Sequence, residues 1–264
     1  MMIKQISLTQ IQKAALVGIL TASLFMVPSV FAQTVAPTPN PTRAARQAAR
    51  LDAASTRLKT RATTEITRRT TSLNALITRI NNVKHLTSDQ KSNLASQIQT
   101  EITTLTALGT KIAGDTDVTT LRTDVKAIVD DNRVYLLFIP KMTIISHGDQ
   151  IIDVANELTS LNAPLQSLID SAKAAGKNVD AVTASMTDRT AKIADAINQA
   201  NNAINSVIPL TPDGYPGNKT TLESARTMLA TGRTDLRTAY TDGRSIRTAI
   251  KGMGVKTPTP TPTP

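Results

Sequence analysis

The chain has no cysteine and no tryptophan, two histidines, and only three tyrosines and three phenylalanines. Without cysteine, neither a disulfide nor a thiolate metal site can form. His85 and His147 stand alone, in no metal-ligand spacing, and a lone histidine in such a chain is more often a surface or capping residue. So few aromatic rings argue against a wide globular core or a large ligand cavity. A phosphate loop, a dinucleotide glycine pattern and a Ser-His-Asp arrangement are all missing, so no enzyme and no cofactor is expected. Asp115, Asp117 and Thr119 imitate the opening of a calcium loop. The later glycine and the bidentate glutamate that such a loop needs are replaced by Thr120 and Lys126, and helix capping explains Asp117 more simply.

What is present first is an address. MMIKQISLTQIQK carries Lys4 and Lys13 and no acid, and AALVGILTASLFMVPSVFA follows it, apolar and uncharged. Val30 and Ala32 are small residues at the −3 and −1 places of a cut before Gln33, which makes residues 1–32 an export signal. If residues 14–31 are not cleaved, they remain as an anchor at the short limit of a membrane span. In either case the body lies outside the cytoplasm, as a periplasmic, extracellular or envelope-associated protein. Residues 33–42 and 254–264 are Pro/Thr-rich flanks, expected to be disordered or extended spacers because alternating proline fixes φ and removes backbone donors. Thr-Pro tracts are also compositional candidates for O-glycans.

Between the flanks, residues 43–253 keep a helical period. Leu51, Leu58, Ala62, Ile66, Leu73, Ile77 and Ile80 mark one face of a first long helix. Thr87 with Gln90 three residues on has the spacing of a capping box. Leu94, Ile98, Ile102, Leu105, Leu108 and Ile112 give the next core face, ending at Gly114. Val179, Met186, Ile193, Ala200 and Val207 fall seven apart, with Val182, Ala196 and Ala203 between them, the pattern of an antiparallel coiled coil or bundle. After the turn cluster PLTPDGYPGN, Asn218 is expected to cap a last helix with Leu222, Ala225, Leu229, Leu236, Ala239, Ile246 and Ile250 inward. Asn218-Lys219-Thr220 is also a glycan sequon, with capping as the preferred role.

The run VYLLFIPKMTII, starting at Val134, needs its own account. It is too short and too interrupted, by Pro140 and Lys141, for a membrane span. A strand would need a partner, and no other segment alternates with period two. Val125, Ile128, Asn132, Tyr135, Ile139 and Met142 carry helical spacing through it. The expectation is one long helix over 118–161, bent at Pro140 where the missing N–H frees the Leu136 carbonyl, and apolar all round because it lies mid-bundle.

Charge is segregated. Residues 43–84 hold ten basic side chains against Asp52 and Glu65; residues 85–218 are net acidic; residues 219–264 are basic again. Arg43, Arg46, Arg50, Arg57, Arg61, Arg68 and Arg79 fall on one strip at 100° per residue, and Arg226, Arg233, Arg237, Arg244, Arg247 and Lys251 on another. Each strip flanks its helix's apolar stripe. One expectation is that the strips pair with Asp124, Asp130, Asp131, Asp149, Asp153 and Glu157, as flanking charges do in coiled coils. The other is that surplus arginine meets an anionic surface: a wall polymer, lipid headgroups or a protein partner. Nucleic acid is disfavoured by export and by the lack of interleaved aromatics.

LTSDQKSNLASQIQTEITTLTALGTKI, GDTDVTTLRTDV, RVYLLFIPK and PLTPDGYPGNKTTLESAR together resemble a family of exported, uncharacterised bacterial proteins of the actinobacterial and candidate-phyla type. The resemblance implies an all-helical secreted body and carries no activity over.

The sequence thus predicts an all-α fold: an elongated antiparallel bundle of about five long helices, the central one kinked at Pro140, on Pro/Thr-rich spacers. Its expected role is that of a non-catalytic envelope or surface protein, a scaffold, spacer or adhesion module. The alternative is a soluble exported helical protein for one specific partner. Long heptads leave pairing between copies of the chain open.

Overall fold

In a computed structural model, residues 41–254 are described; the segment expected to be an export signal, most of the Pro/Thr-rich linker and nearly all of the Thr-Pro tail lie outside them. The chain divides after Ala45. Of the first unit only residues 41–45 are described, and they form the opening of the first helix. The second unit, from Arg46, holds all the packing discussed below.

The fold is all-α, with no strand among the described residues. Its segments are α1 (Pro41–Asn82), α2 (Ser88–Gly114), α3 (Val118–Asp130), a π-helical turn (Val134–Phe138), α4 (Ile139–Ser160), α5 (Asn162–Ala174), α6 (Asp180–Val207), a short 3-10 turn (Pro212–Gly214) and α7 (Asn218–Gly252). They make five long helical stretches, the third of which is interrupted into α3, α4 and α5. α1 starts at Pro41, inside the segment expected to be a spacer; proline suits a first helical position because that N–H has no intrahelical acceptor.

Capping residues set two of the starts. Thr87 accepts from the Gln90 N–H at 3.1 Å while the Gln90 side chain accepts from the Thr87 N–H at 2.9 Å. Asp117 accepts from the Thr120 N–H at 2.7 Å. Asn218 does not cap α7: Gly217 takes that place, and Asn218 is buried with its Nδ2 donating to the Thr211 carbonyl at 2.7 Å. The turn after Pro209 folds back on the helix start, so the amide ties turn to helix and leaves no exposed nitrogen for a glycan.

The expected kink at Pro140 also takes a different form. The helix breaks earlier, at Arg133, which adopts φ 34. The chain restarts as a π turn in which the Ile139 N–H donates to the Val134 carbonyl. Pro140 then occupies the first turn of α4. A proline inside a regular helix would press its ring on the carbonyl four residues back. The wider turn immediately upstream absorbs that conflict, and the missing donor falls where none is required.

Cross-helix contacts fix directions. Lys59 Nζ reaches the Ala113 carbonyl and Lys91 Nζ the Asn81 carbonyl, so α1 and α2 are antiparallel. Arg189 meets Ala239, Lys192 meets Asp235, and Gly232 lies against Ala196, so α6 and α7 are antiparallel. Ser72–Tyr135, Arg79–Ser146 and Lys84–Asp153 place α1 parallel to the π turn and α4. The main core gathers Leu73, Ile80, Leu94, Ile98, Leu105, Leu121, Phe138, Ile145, Ala200 and Leu229. A second, smaller cluster joins α5, the start of α6 and the end of α7 through Leu165, Ile169, Met186 and Ile246. Small residues let α4, α6 and α7 approach closely: a Cβ on Gly148 would meet Ile204 Cδ1 at 2.8 Å. The apolar run is central, with Val134, Leu137, Met142, Ile144 and Ile145 buried, but not on every side: Leu136 is 45% exposed.

Candidate functional site

The arginines of both strips, Arg43, Arg46, Arg50, Arg57, Arg61 and Arg68 on α1 and Arg226, Arg233, Arg237, Arg244 and Arg247 on α7, are all exposed. Arg68 alone among them forms an ion pair, with Glu65 on its own helix at 2.7 Å, and its guanidinium also lies 4.8 Å from the Tyr135 ring centre. Four of the six acids expected to neutralise the strips serve other groups, and Asp131 and Glu157 form no ion pair among the described residues. Asp124 takes Lys111 at 2.8 Å, and Asp130 faces Lys126 and Arg133. Asp153 takes Lys84 at 2.9 Å and His85 Nε2 at 3.0 Å. Asp149 accepts the backbone N–H groups of Lys84 and His85 at 3.0 and 2.8 Å. Pairing of the strips with the central acids is therefore not how the bundle is built.

The strips meet at one place. α1 and α7 both flank α4, and a hollow of about 480 Å³ opens between α4 and α7, lined by Ile139, Pro140, Thr143, Ile144, His147, Arg226, Leu229 and Arg233. Arg79, from the far end of the α1 strip, donates to Ser146 Oγ at 3.4 Å, beside His147. Burial, then Arg233 and Arg79, hold the His147 imidazolium below the usual histidine range. Without a carboxylate to balance them, these groups form a concentration of positive charge that an anion would relieve.

Away from that hollow, the core holds charges that periodicity alone passed over. Lys141 is 1% exposed, and its ammonium donates to Gln97 Oε1 at 2.6 Å and to the Ile208 and Leu210 carbonyls at 2.6 and 3.0 Å. Burial pushes its pKa down to about 7, while three carbonyl acceptors favour the charged form. Arg189 is equally buried. Its Nε donates to Asn162 Oδ1 at 2.8 Å, Nη2 to the Leu158 carbonyl at 2.7 Å, and Nη1 to the Ala239 carbonyl. It thereby adds a second donor to a carbonyl in the last turn of α4, which also accepts the Leu161 N–H at 3.3 Å. Glu101 is 7% exposed, and its Oε1 is buried with no hydrogen-bond partner. Burial first, and Asp213 second, push the Glu101 carboxyl up to about 8.

A signal for two of these was present. Val182, Met186, Arg189 and Ile193 follow the four-three-four seam of α6, and Leu94, Ile98, Glu101 and Leu105 follow the same seam of α2. Both ionisable residues sit at core register. The α2 face named from sequence ran through Ile102 instead, which is half-buried.

Comparison with protein-family models, curated proteins and solved structures finds no match for this chain.

Proposed function

We propose that this is a non-catalytic exported protein of the cell envelope, a helical scaffold or adhesion module whose α1 and α7 arginines hold an anionic polymer. The observation that carries it is the unpaired state of those arginines: apart from Arg68, none has an acid partner among the described residues, although the bundle pairs several of its lysines. Exposed guanidinium groups along two helices suit a repeating phosphate or carboxylate chain, to which each binds in a planar, two-pronged geometry. The hollow around His147, where Arg226 and Arg233 of α7 come near Arg79 of α1, is a natural place for one anionic unit. The basic and then apolar N-terminal segment, with small residues at Val30 and Ala32, supports reading the site of action as outside the cytoplasm, where such polymers occur.

Retention of the purified full chain on isolated wall polymer tests this. The expected result is binding at low salt that is lost near molar salt, where screening shortens to about 3 Å. Joint substitution of Arg79, Arg226 and Arg233 by Gln should weaken binding by roughly a hundredfold, on about 1 kcal/mol for each of the three lost charge contacts. No retention at low salt would remove the proposal.

A second arrangement favours the partner-specific alternative. A largely apolar cleft of about 240 Å³ lies between α4, α5 and α7, lined by Leu158, Leu161, Leu165, Leu168 and Tyr240 with Arg244 and Arg247 at its rim. Leu161 and Tyr240 are 51% and 56% exposed there. Salt-resistant binding to a protein, with Tyr240→Ala impairing it, would favour that alternative.

A further inference from the structure

A third cavity, of about 400 Å³, lies between α2, the break before the π turn, and the 3-10 turn, and its charge is opposite to that of the arginine faces. Ser96, Gln97, Thr100, Glu101 and Thr104 of α2 form one wall, and Asp131, Phe138 and Asp213 with the adjoining turn close the rest. No lysine or arginine lines it. Glu101, Asp131 and Asp213 form no ion pair among the described residues, in a chain whose net charge is +10.

Glu101 is the unusual member. A carboxyl more than nine-tenths buried ordinarily has its oxygens satisfied, since an unpaired buried oxygen forfeits its hydration for nothing. Here Oε1 has no partner. Lys141 does not supply one: it approaches Gln97 from the core side and uses its three protons on Gln97 Oε1 and the Ile208 and Leu210 carbonyls. Gln97 in turn donates to Asn93 Oδ1 and the Ile208 carbonyl. The Thr104 hydroxyl donates back to the Thr100 carbonyl, which leaves its lone pairs to accept. The lining is therefore rich in oxygen acceptors and holds no fixed positive charge. It suits a ligand that brings several N–H groups and a positive charge.

We propose that this cavity binds a small organic cation bearing a primary ammonium group, with Glu101 as its buried carboxylate partner and Asp131 and Asp213 at the exposed rim. A bare metal ion fits less well. The cavity is many times the volume of an ion, Phe138 gives it an aromatic wall, and among the described residues no three acidic or imidazole groups gather to coordinate a metal. A short aliphatic chain carrying an ammonium fills the apolar and acceptor surfaces together. Glu101 enters the site protonated at neutral pH and must release that proton when the ammonium arrives. None of this depends on the arginine faces or on what they bind.

Calorimetry on the full chain with n-butylammonium as probe and n-butanol as its uncharged control tests the site. The expected result is binding of the ammonium only, at least about tenfold tighter at pH 8.5 than at pH 6.5, because Glu101 ionises near 8 and the probe keeps its charge throughout. Proton release at pH 7 should appear as a heat that varies with the buffer. Glu101→Gln should abolish the pH dependence and weaken binding at pH 8.5 by about tenfold or more. Asp213→Asn should weaken it less, and it serves as the second variant if Glu101→Gln misfolds. Absence of ammonium binding at millimolar concentration, equal binding of the alcohol, or binding unchanged in both variants would overturn the proposal.

Discussion

At the residue scale, this bundle is shaped by three buried side chains whose chemistry resists burial, two of them at core register and the third, Lys141, off the named seam. Glu101, Lys141 and Arg189 replace hydrocarbon with charge, and each is resolved differently. Arg189 is caged by three acceptors, and Gly243 makes room for it: a Cβ there would meet Arg189 Nη1 at 2.8 Å. Gly243→Ala should therefore lower stability by about 1–3 kcal/mol through overpacking, against the usual helix preference for alanine. In an Arg189→Met background the same change should become neutral or stabilising by about 1 kcal/mol. Chemical denaturation of the four proteins of this cycle reads the coupling, and additive effects would contradict the cage. Glu101 has a pH signature. Unfolded, it loses its proton near 4.5; folded, it keeps it to about 8, so the folded state holds the extra proton in between and stability falls as pH rises across that window. Melting temperatures of the native chain and Glu101→Gln should agree near pH 4.5 and diverge in favour of the variant by pH 8, by roughly 2–4 °C for each kcal/mol. A difference independent of pH would show that the carboxyl ionises normally.

At the element scale, much of the fold was legible in the spacing of aliphatic residues. The seams of α6 and α7 proved buried residue by residue, from Val179 to Val207 and from Leu222 to Ile250. The caps at Thr87 and Asp117 formed as their side chains dictate. The apolar run from Val134 is helical and interior because α1, α6 and α7 surround α4. Illegible was the place of the break, because nothing in one-dimensional spacing separates a kink at Pro140 from a π turn that precedes it. The same geometry sets an expectation for Pro140→Ala. A proline bending a continuous helix costs about 3 kcal/mol, so its removal there would stabilise strongly. In the first turn of α4 the exchange should change stability by less than about 1 kcal/mol, measured by urea unfolding. Leu51 shows a second limit of spacing: it keeps the α1 period yet is exposed, like its neighbours Arg46 to Ala53. A periodic stripe reports a face suited to burial, and whether a partner covers it depends on the rest of the chain.

At the scale of the whole molecule, charge segregation along the sequence becomes segregation in space through topology. α1 and α7, the two basic helices, run parallel to α4 on its flanks, and Asp117, Asp124, Asp149 and Asp153 of the middle segments are spent on a cap, lysines and backbone amides. Threonine fills the exposed faces beside the arginines. Its hydroxyls bond back to the carbonyl four residues earlier, as at Thr227, Thr231, Thr234 and Thr238, which lets a middling helix former sustain long helices without competing for the guanidinium groups. The twelve strip arginines were all named from sequence, and their exposure follows from the angle they make with the apolar stripe. Their convergence was not legible there, because it requires knowing that α1 and α7 share a neighbour. His147, read at first as an isolated histidine, is where that convergence can be measured. Its ring sits between Arg79 and Arg233, so an anion bound there must raise its pKa by replacing repulsion with attraction.

Titration of the His147 ring by NMR, with and without a soluble polyphosphate, tests that claim most directly. The expected midpoint without the anion lies below 6.5, moves upward when the polyanion is added, and ceases to move when Arg79 and Arg233 are replaced by Gln. A midpoint that stays in place on addition of the polyanion at low salt would contradict it.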